Sequence, residues 1–150
     1  MADSLVFRAL ERHVIHGRAD EMAFTGLGRP MTYAHLLHDS ACVAGSLRDV
    51  GVGVGTRVSV DIAARREQII AVLACARLGA ELDADADIRL TGEPPVLTTG
   101  QTEVSWSVLL HAGRVDPAPA PDADPEGYAE RVVSAHRDIF AALLAGNALT

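Results

Sequence analysis

Lysine is absent from this 150-residue chain; all 13 of its basic residues are arginine. Chemistry that needs an ε-amine, as a Schiff base or as an ammonium group on phosphates, is thereby closed to these residues. Cysteine is nearly as scarce. Cys42 and Cys75 are the only two, and both fall in helix-like segments without metal-ligand spacing, so they read as buried, reduced thiols. Long apolar runs are missing, which excludes a membrane-spanning helix on hydropathy. The N-terminal stretch MADSLVFRALERH has no basic segment followed by an apolar one, so no secretory leader is expected and a cytoplasmic location is. Positive charge is in deficit: 20 acidic residues leave a net charge of −7. Without a basic stripe to release counterions, neither nucleic acid nor an anionic membrane is an expected partner. Aromatic residues make up 4% of the chain against 49% apolar residues in all, so the core is mainly aliphatic. Length and apolar content suit one domain with its own core.

What is present alternates between helical and strand-like patterning. Leu5, Val6, Ala9, Leu10 and Val14 recur at helical spacing after Asp3 or Ser4 as a cap, and this helix is expected to stop near Gly17. MAFTGLGRPMTY (22–33) reads as a strand over 22–25, a tight turn through Gly26 and Gly28, and a second short strand at Met31. Thr32 is a good N-cap for a helix from Tyr33 to Val50. RVSVDIA (57–63) alternates as a strand. REQIIAVLACARLG (66–79) is apolar around most of its circumference, which calls for cover on more than one side, and Gly79 stops it. Residues 80–84 and 95–99 are short strand candidates, and Ser105 is placed to cap a small helix through His111. DPAPAPDADPEG (116–127) reads as an extended, mobile linker. ERVVSAHRDIFAALLAG (130–146) reads either as a strand at Val132 and Val133 before a helix capped by Ser134, or as one helix from Tyr128. The fold class expected is α/β, with helices packed on a small, mainly parallel sheet.

GVGVGTR (51–57) is the stretch most easily taken for a phosphate loop. A dinucleotide fingerprint places its glycines after a strand and at the start of a helix, whose free N–H groups and positive dipole end face the phosphate. Here the order is reversed, helix before and strand after. The spacing also fails both G-x-G-x-x-G and the P-loop pattern. Gly51 as a left-handed helix stop, followed by a turn, is the expected role.

The order of these elements resembles a known family. RPMTYAHLLHDSACVAGSLRDVGVGVGTRVSVDIAARREQIIAVLACARLGAELD (29–83) is similar to the N-terminal part of the adenylate-forming superfamily, which includes acyl-CoA synthetases, peptide-synthetase adenylation domains and luciferases. Its members run TYAEL, then GVGPGDRVAL, then an alanine- and leucine-rich helix ending in AGA. LERHVIHGRADEMAFTG (10–26) resembles the family's lead-in, so the likeness covers about the first 83 residues. The remainder resembles the family in shortened form. SWSVLLHAGRVDPAPAPDADPEGYA (105–129) is similar to the approach to the family's phosphate loop, and RVVSAHRDIFAALLAG (131–146) to the segment after that loop. Between them the family carries Y-T-S-G-T/S-T-G-x-P-K, where this chain has Tyr128, Ala129, Glu130 and Arg131.

The resemblance implies a loop that holds ATP phosphates, a later aromatic-Thr-Glu segment for nucleotide and magnesium, and a C-terminal domain with a catalytic lysine. None of these is matched here, so no catalytic, cofactor-binding or metal residue is carried over and ATP binding is not expected. Phosphoryl chemistry needs charge stabilisation that nothing in the chain supplies in the family's manner. The chain therefore reads as a shortened relative. ELDADAD (81–87) departs from the family's apolar strand.

Other clusters have plainer readings. Asp83, Asp85 and Asp87 resemble the start of a calcium loop, but Ile88 and Pro94 stand where its glycine and glutamate belong, so a solvated strand face or edge guard is expected. His13/His16 and His35/His38 lack a third ligand and read as surface histidines. Ser134 and His136 lack an acid partner and an oxyanion loop, leaving Ser134 as a cap. Trp106 reads as a core or cover residue.

The expected function is a non-catalytic, adenylate-forming-like protein acting through protein–protein interaction, as a homodimer or with a heteromeric partner, without cofactor or metal. Ile69, Ile70, Leu73, Ile139, Phe140 and Leu143 are the candidate interaction surface. The expected organisation is an α/β core over 1–115, a linker over 116–127, and a C-terminal helix within 128–150 that packs back on the core or on a partner. The alternatives are a subunit of a split acyl or aryl adenylating enzyme completed by another chain, and a binding protein for an acyl or aryl acid without chemistry.

Overall fold

The computed structural model of the chain describes residues 3–26, 29–100 and 102–150. In chain order the elements are an N-terminal helix (5–18), β1 (Met22–Phe24), β2 (Met31–Thr32), α1 (Tyr33–Asp49), β3 (Arg57–Asp61), α2 (Arg65–Leu78), β4 (Glu81–Leu82), β5 (Ile88–Thr91), β6 (Val96–Thr99), β7 (Thr102–Ser105), α3 (Trp106–Gly113), α4 (Tyr128–Ala135) and α5 (Arg137–Leu144). They form two compact units, one of Met1–His38 with Ala120–Thr150, the other of Asp39–Pro119. This corrects the expected division at 115/116 and 127/128. The first and last parts of the chain share one unit, and residues 116–119 belong with the sheet.

The Asp39–Pro119 unit holds a five-stranded sheet in the order β4-β3-β5-β6-β7. β3 pairs in parallel with both β4 and β5, and β5, β6 and β7 continue as an antiparallel meander. The expected α/β class is present, with its parallel part centred on β3 and two antiparallel strands extending it. β5 and β7 lie outside the expected strands. IRLT alternates over four residues only and TEVS has a single apolar residue, too short a pattern to announce a strand; pairing with β3 and β6 forms the first and pairing with β6 the second. α2 packs on β3 and β4. Its Ile69, Ile70, Ala71, Leu73, Ala74 and Cys75 are fully buried, as the breadth of its apolar surface requires. Gly113 in α3 lies against the α1 backbone, where an added Cβ would collide with the Cys42 carbonyl oxygen. Ser46 Oγ donates to Leu109 O at 2.6 Å. Trp106 is buried, as expected.

The other unit is built around the N-terminal helix, which contains two π-helical turns and reaches Gly17 at a φ of 86°. Leu5, Val6, Ala9 and Leu10 are buried along it, as their spacing predicts. α5 packs on this helix and on α4. Asp3 and Ser4 were the expected caps. The cap is instead Asp124, whose Oδ2 accepts from the Leu5 N–H at 2.8 Å. The stretch expected to be a mobile linker is thus anchored, with further bonds from the Asp3 N–H to Asp122 O and, within the other unit, from the Ala118 N–H to Ala41 O. β1 and β2 form the expected antiparallel pair; Gly28, expected in their turn, lies outside the described residues. Leu149 lies beside β1, its N–H donating to Ala23 O at 2.7 Å. Val132 and Val133 lie in α4, not in a strand. The helical reading from Tyr128 holds, broken at His136 (φ −129°).

The expected interaction surface needs correction. Ile69, Ile70, Leu73, Ile139, Phe140 and Leu143 are each at most 1% exposed. The first three lie on α2 and the last three on α5, in different units. Their burial within the chain leaves no open apolar face at these positions.

Candidate functional site

The GVGVGTR turn has the geometry of a connector. Gly51 sits at a φ of 98°, which an L side chain rarely adopts. Its N–H donates to Arg48 O at 3.0 Å, and the Val52 N–H reaches back to Leu47 O at 3.0 Å. These bonds satisfy carbonyls at the end of α1. Thr56 Oγ1 accepts from the Gly53 N–H at 3.0 Å, and the Gly55 N–H donates to Gly79 O at 3.1 Å. These glycine N–H groups are therefore committed to internal acceptors rather than to an anion.

The stretch that the sequence resemblance sets at the phosphate loop, 128–131, is the first turn of a helix. Gly127 precedes α4 at a φ of 75°, and Tyr128 is buried. The Arg131 guanidinium lies over the Tyr128 ring, 5.9 Å from its centroid, within the reach of a cation–π contact. Downstream, Glu130, Val133 and Ser134 follow at i, i+3 and i+4 on one stripe of α4, and Arg137 opens α5 just past the break at His136. With Ala129 and Arg8 of the N-terminal helix they line a shallow cleft of about 280 Å³. Ser134 is exposed and does not cap α5, whose N-terminus has no side-chain cap. Neither its hydroxyl nor the Arg137 guanidinium bonds to any described residue, so Ser134 and His136 do not form a dyad. Arg8 Nε is buried without a hydrogen bond; Asp3 Oδ1 lies 3.8 Å away, beyond hydrogen-bond reach. None of the six expected surface residues lies in this cleft. The spacing of 130, 133 and 134 follows from the helical alternative for this stretch, but Arg8 could not be foreseen, because it arrives from more than a hundred residues away.

The remaining clusters have structural roles. Asp83 accepts from the Asp85 N–H at 2.9 Å and from Arg57 Nη1 at 3.2 Å, and these bonds, the backbone one first, hold its carboxyl below the usual range. The strand expected over 80–84 is only Glu81–Leu82, so the three aspartates do not alternate along a strand. Among the described residues no group of three His, Cys, Asp or Glu is placed to hold a metal. His16, His35 and His38 are exposed as expected. His13 is buried, a correction to the surface reading, with Nε2 2.7 Å from Leu143 O. That carbonyl needs a donor, which fixes the Nε2–H tautomer. Arg12 Nη2 donates to Leu144 O, Arg18 Nη2 to Gly146 O and Tyr33 Oη to Asn147 O. Four side chains thus clasp the carbonyl end of α5 and the residues after it, where unpaired C=O groups and the negative dipole end favour donors. Burial pushes the His13 pKa down, assisted by Arg18, Arg12 and His16, against the opposing bond to Leu143. Cys42 and Cys75 are buried and form no disulfide, and burial pushes Cys75 up to about 12.

Comparison with known proteins bears on residues 10–82, which match the family described as AMP-binding enzyme. The chain is 35% identical over 82 residues to acetyl-coenzyme A synthetase of Mycobacterium tuberculosis, covering 51% of this chain and 13% of the relative. It is 38% identical over 82 residues to acetyl-coenzyme A synthetase of Deinococcus radiodurans, with the same coverage. A crystal structure of an anthranilate CoA ligase in complex with anthranoyl-AMP superposes with a TM-score of 0.49 at 21% identity, covering 57% of this chain and 17% of that one. The chain thus spans about 13% of the length of the curated relatives it matches. Residues 10–82 thus match the AMP-binding enzyme family, and this likeness to adenylate-forming enzymes covers about half of the chain.

Proposed function

We propose that these 150 residues form a non-catalytic relative of the AMP-binding enzymes that acts by binding another protein, either a second copy of the chain or a larger partner. The observation that carries this reading is the first turn of α4. Where the family resemblance calls for a glycine-rich, lysine-bearing loop, the chain has a helix start with Tyr128 buried, and it has no lysine anywhere. Adenylation needs positive charge and backbone donors aimed at the transferring phosphates. Support for a protein partner comes from a shallow apolar groove lined in part by Val50, Val104, Val108, Leu109 and Ala112, where Val50 and Val108 are exposed. It takes the place of the buried residues first expected to form the interface.

Light scattering on the purified chain, with and without magnesium ATP, tests this. A dimer whose melting temperature does not respond to nucleotide supports the reading. If the chain is monomeric, co-purification of a partner that Val108→Asp abolishes supports the larger-partner form. A monomer that captures no partner and is stabilised by magnesium ATP contradicts both.

A further inference from the structure

We infer that the cleft between the N-terminal helix and α4–α5 is a binding site for a small oxyanion, a carboxylate or a phosphate group on a compact ligand. Two guanidinium groups line it. Arg137 has no hydrogen-bond or ion-pair partner among the described residues. Arg8 is only loosely matched, by Asp3 at 3.8 Å, while its side chain stays 35% exposed. The Ser134 hydroxyl adds a third donor without a partner. A guanidinium presents a planar fork of N–H donors suited to carboxylate and phosphate oxygens, and a hydroxyl completes such a set.

The surroundings support a site rather than a scatter of surface charge. Near the Arg8 end, three buried polar atoms lack partners: Ser4 Oγ, Arg8 Nε and Asp124 Oδ1. Ser4 and Arg8 are one helical turn apart, and Asp124 caps the same turn. Buried polar atoms are ordinarily paired; of these three, Arg8 Nε belongs to a residue that lines the cleft, and its N–H is a donor left open to a ligand oxygen or bound solvent. The cleft's volume of about 280 Å³ holds a small acid with a few waters, not a nucleotide. Glu130 is the one acid among the lining residues and Asp3 lies 3.8 Å from Arg8, which leaves Arg137 as the guanidinium of the cleft with no acid matched to it among the described residues. This site is independent of the protein-binding reading above.

Isothermal titration of the full chain with inorganic phosphate and, separately, with acetate tests the inference, against potassium chloride at matched ionic strength. Binding of either probe is expected. Arg137→Ala should weaken it about tenfold, the scale of one charge-assisted hydrogen bond. Glu130→Gln should strengthen it. Arg131→Ala removes the same charge outside the cleft and should leave it unchanged. Arg137 is exposed and unbonded, so its variant should fold, as circular dichroism would verify. Response to phosphate alone would assign a phosphoryl ligand, and response to acetate alone a carboxylate. Two results overturn the inference: no binding beyond the chloride control, or equal loss in Arg137→Ala and Arg131→Ala.

Discussion

The two units of this chain are held by different means. In Asp39–Pro119 apolar burial dominates: α2 is enclosed along most of its length, and the sheet beneath it is covered by Ile69, Ile70, Leu73 and their neighbours. The unit of Met1–His38 and Ala120–Thr150 has apolar contacts as well, but adds side chains that reach across the sequence to backbone groups. Asp124 caps the N-terminal helix, and Arg12, His13, Arg18 and Tyr33 clasp the end of α5. Burying a large aliphatic side chain contributes about 1.5–3 kcal/mol, whereas a hydrogen bond contributes a net of about 0.5–1.5 kcal/mol. The sheet-bearing unit should therefore be sensitive to volume, and the other to charge and pH.

Substitutions can break this contrast. The largest effect is expected from Leu73→Ala, about 2–5 kcal/mol by chemical denaturation, because the site is fully buried beside the sheet. Gly113→Ala comes next at about 1–3 kcal/mol, since the new methyl meets the Cys42 carbonyl and α1 and α3 must separate. Asp124→Ala should cost about 1 kcal/mol, seen as faster amide exchange in the first turn of the N-terminal helix. If Asp124→Ala cost as much as Leu73→Ala, the distinction between the units would fail.

The gentlest probe is pH. His13 and His136 both have pKa values lowered, chiefly by burial. The folded state then binds protons less readily than the unfolded chain, so stability is full above the ordinary histidine value of about 6.5 and declines as pH falls below it. A melting series through that window should show the decline. His13→Gln, which keeps a donor for Leu143 O, should flatten it in part. An unchanged slope would mean that the clasp is not the titrating element.

The same contrast explains which features were legible in the sequence. Thr32 as the cap of α1 was readable, and its Oγ1 does accept the His35 N–H at 3.1 Å. So were Ser105 as the cap of α3, Gly79 as the stop of α2, and the burial of α2. These depend on spacing within one or two turns. The cap by Asp124, the burial of His13 and the arrival of Arg8 at the cleft all depend on pairings more than a hundred residues apart, which no local period encodes. The breadth of the apolar surface on the helix over 66–79 was read as needing cover, and α2 is buried. What local patterning could not tell is that the chain supplies that cover itself.

The central proposal is that these 150 residues, which hold no lysine and begin a helix at Tyr128, perform no adenylation by themselves. ATP–pyrophosphate exchange by the purified chain, with acetate as the acid, tests it most directly. The account predicts no exchange above a protein-free control, and magnesium- and acetate-dependent exchange would contradict it.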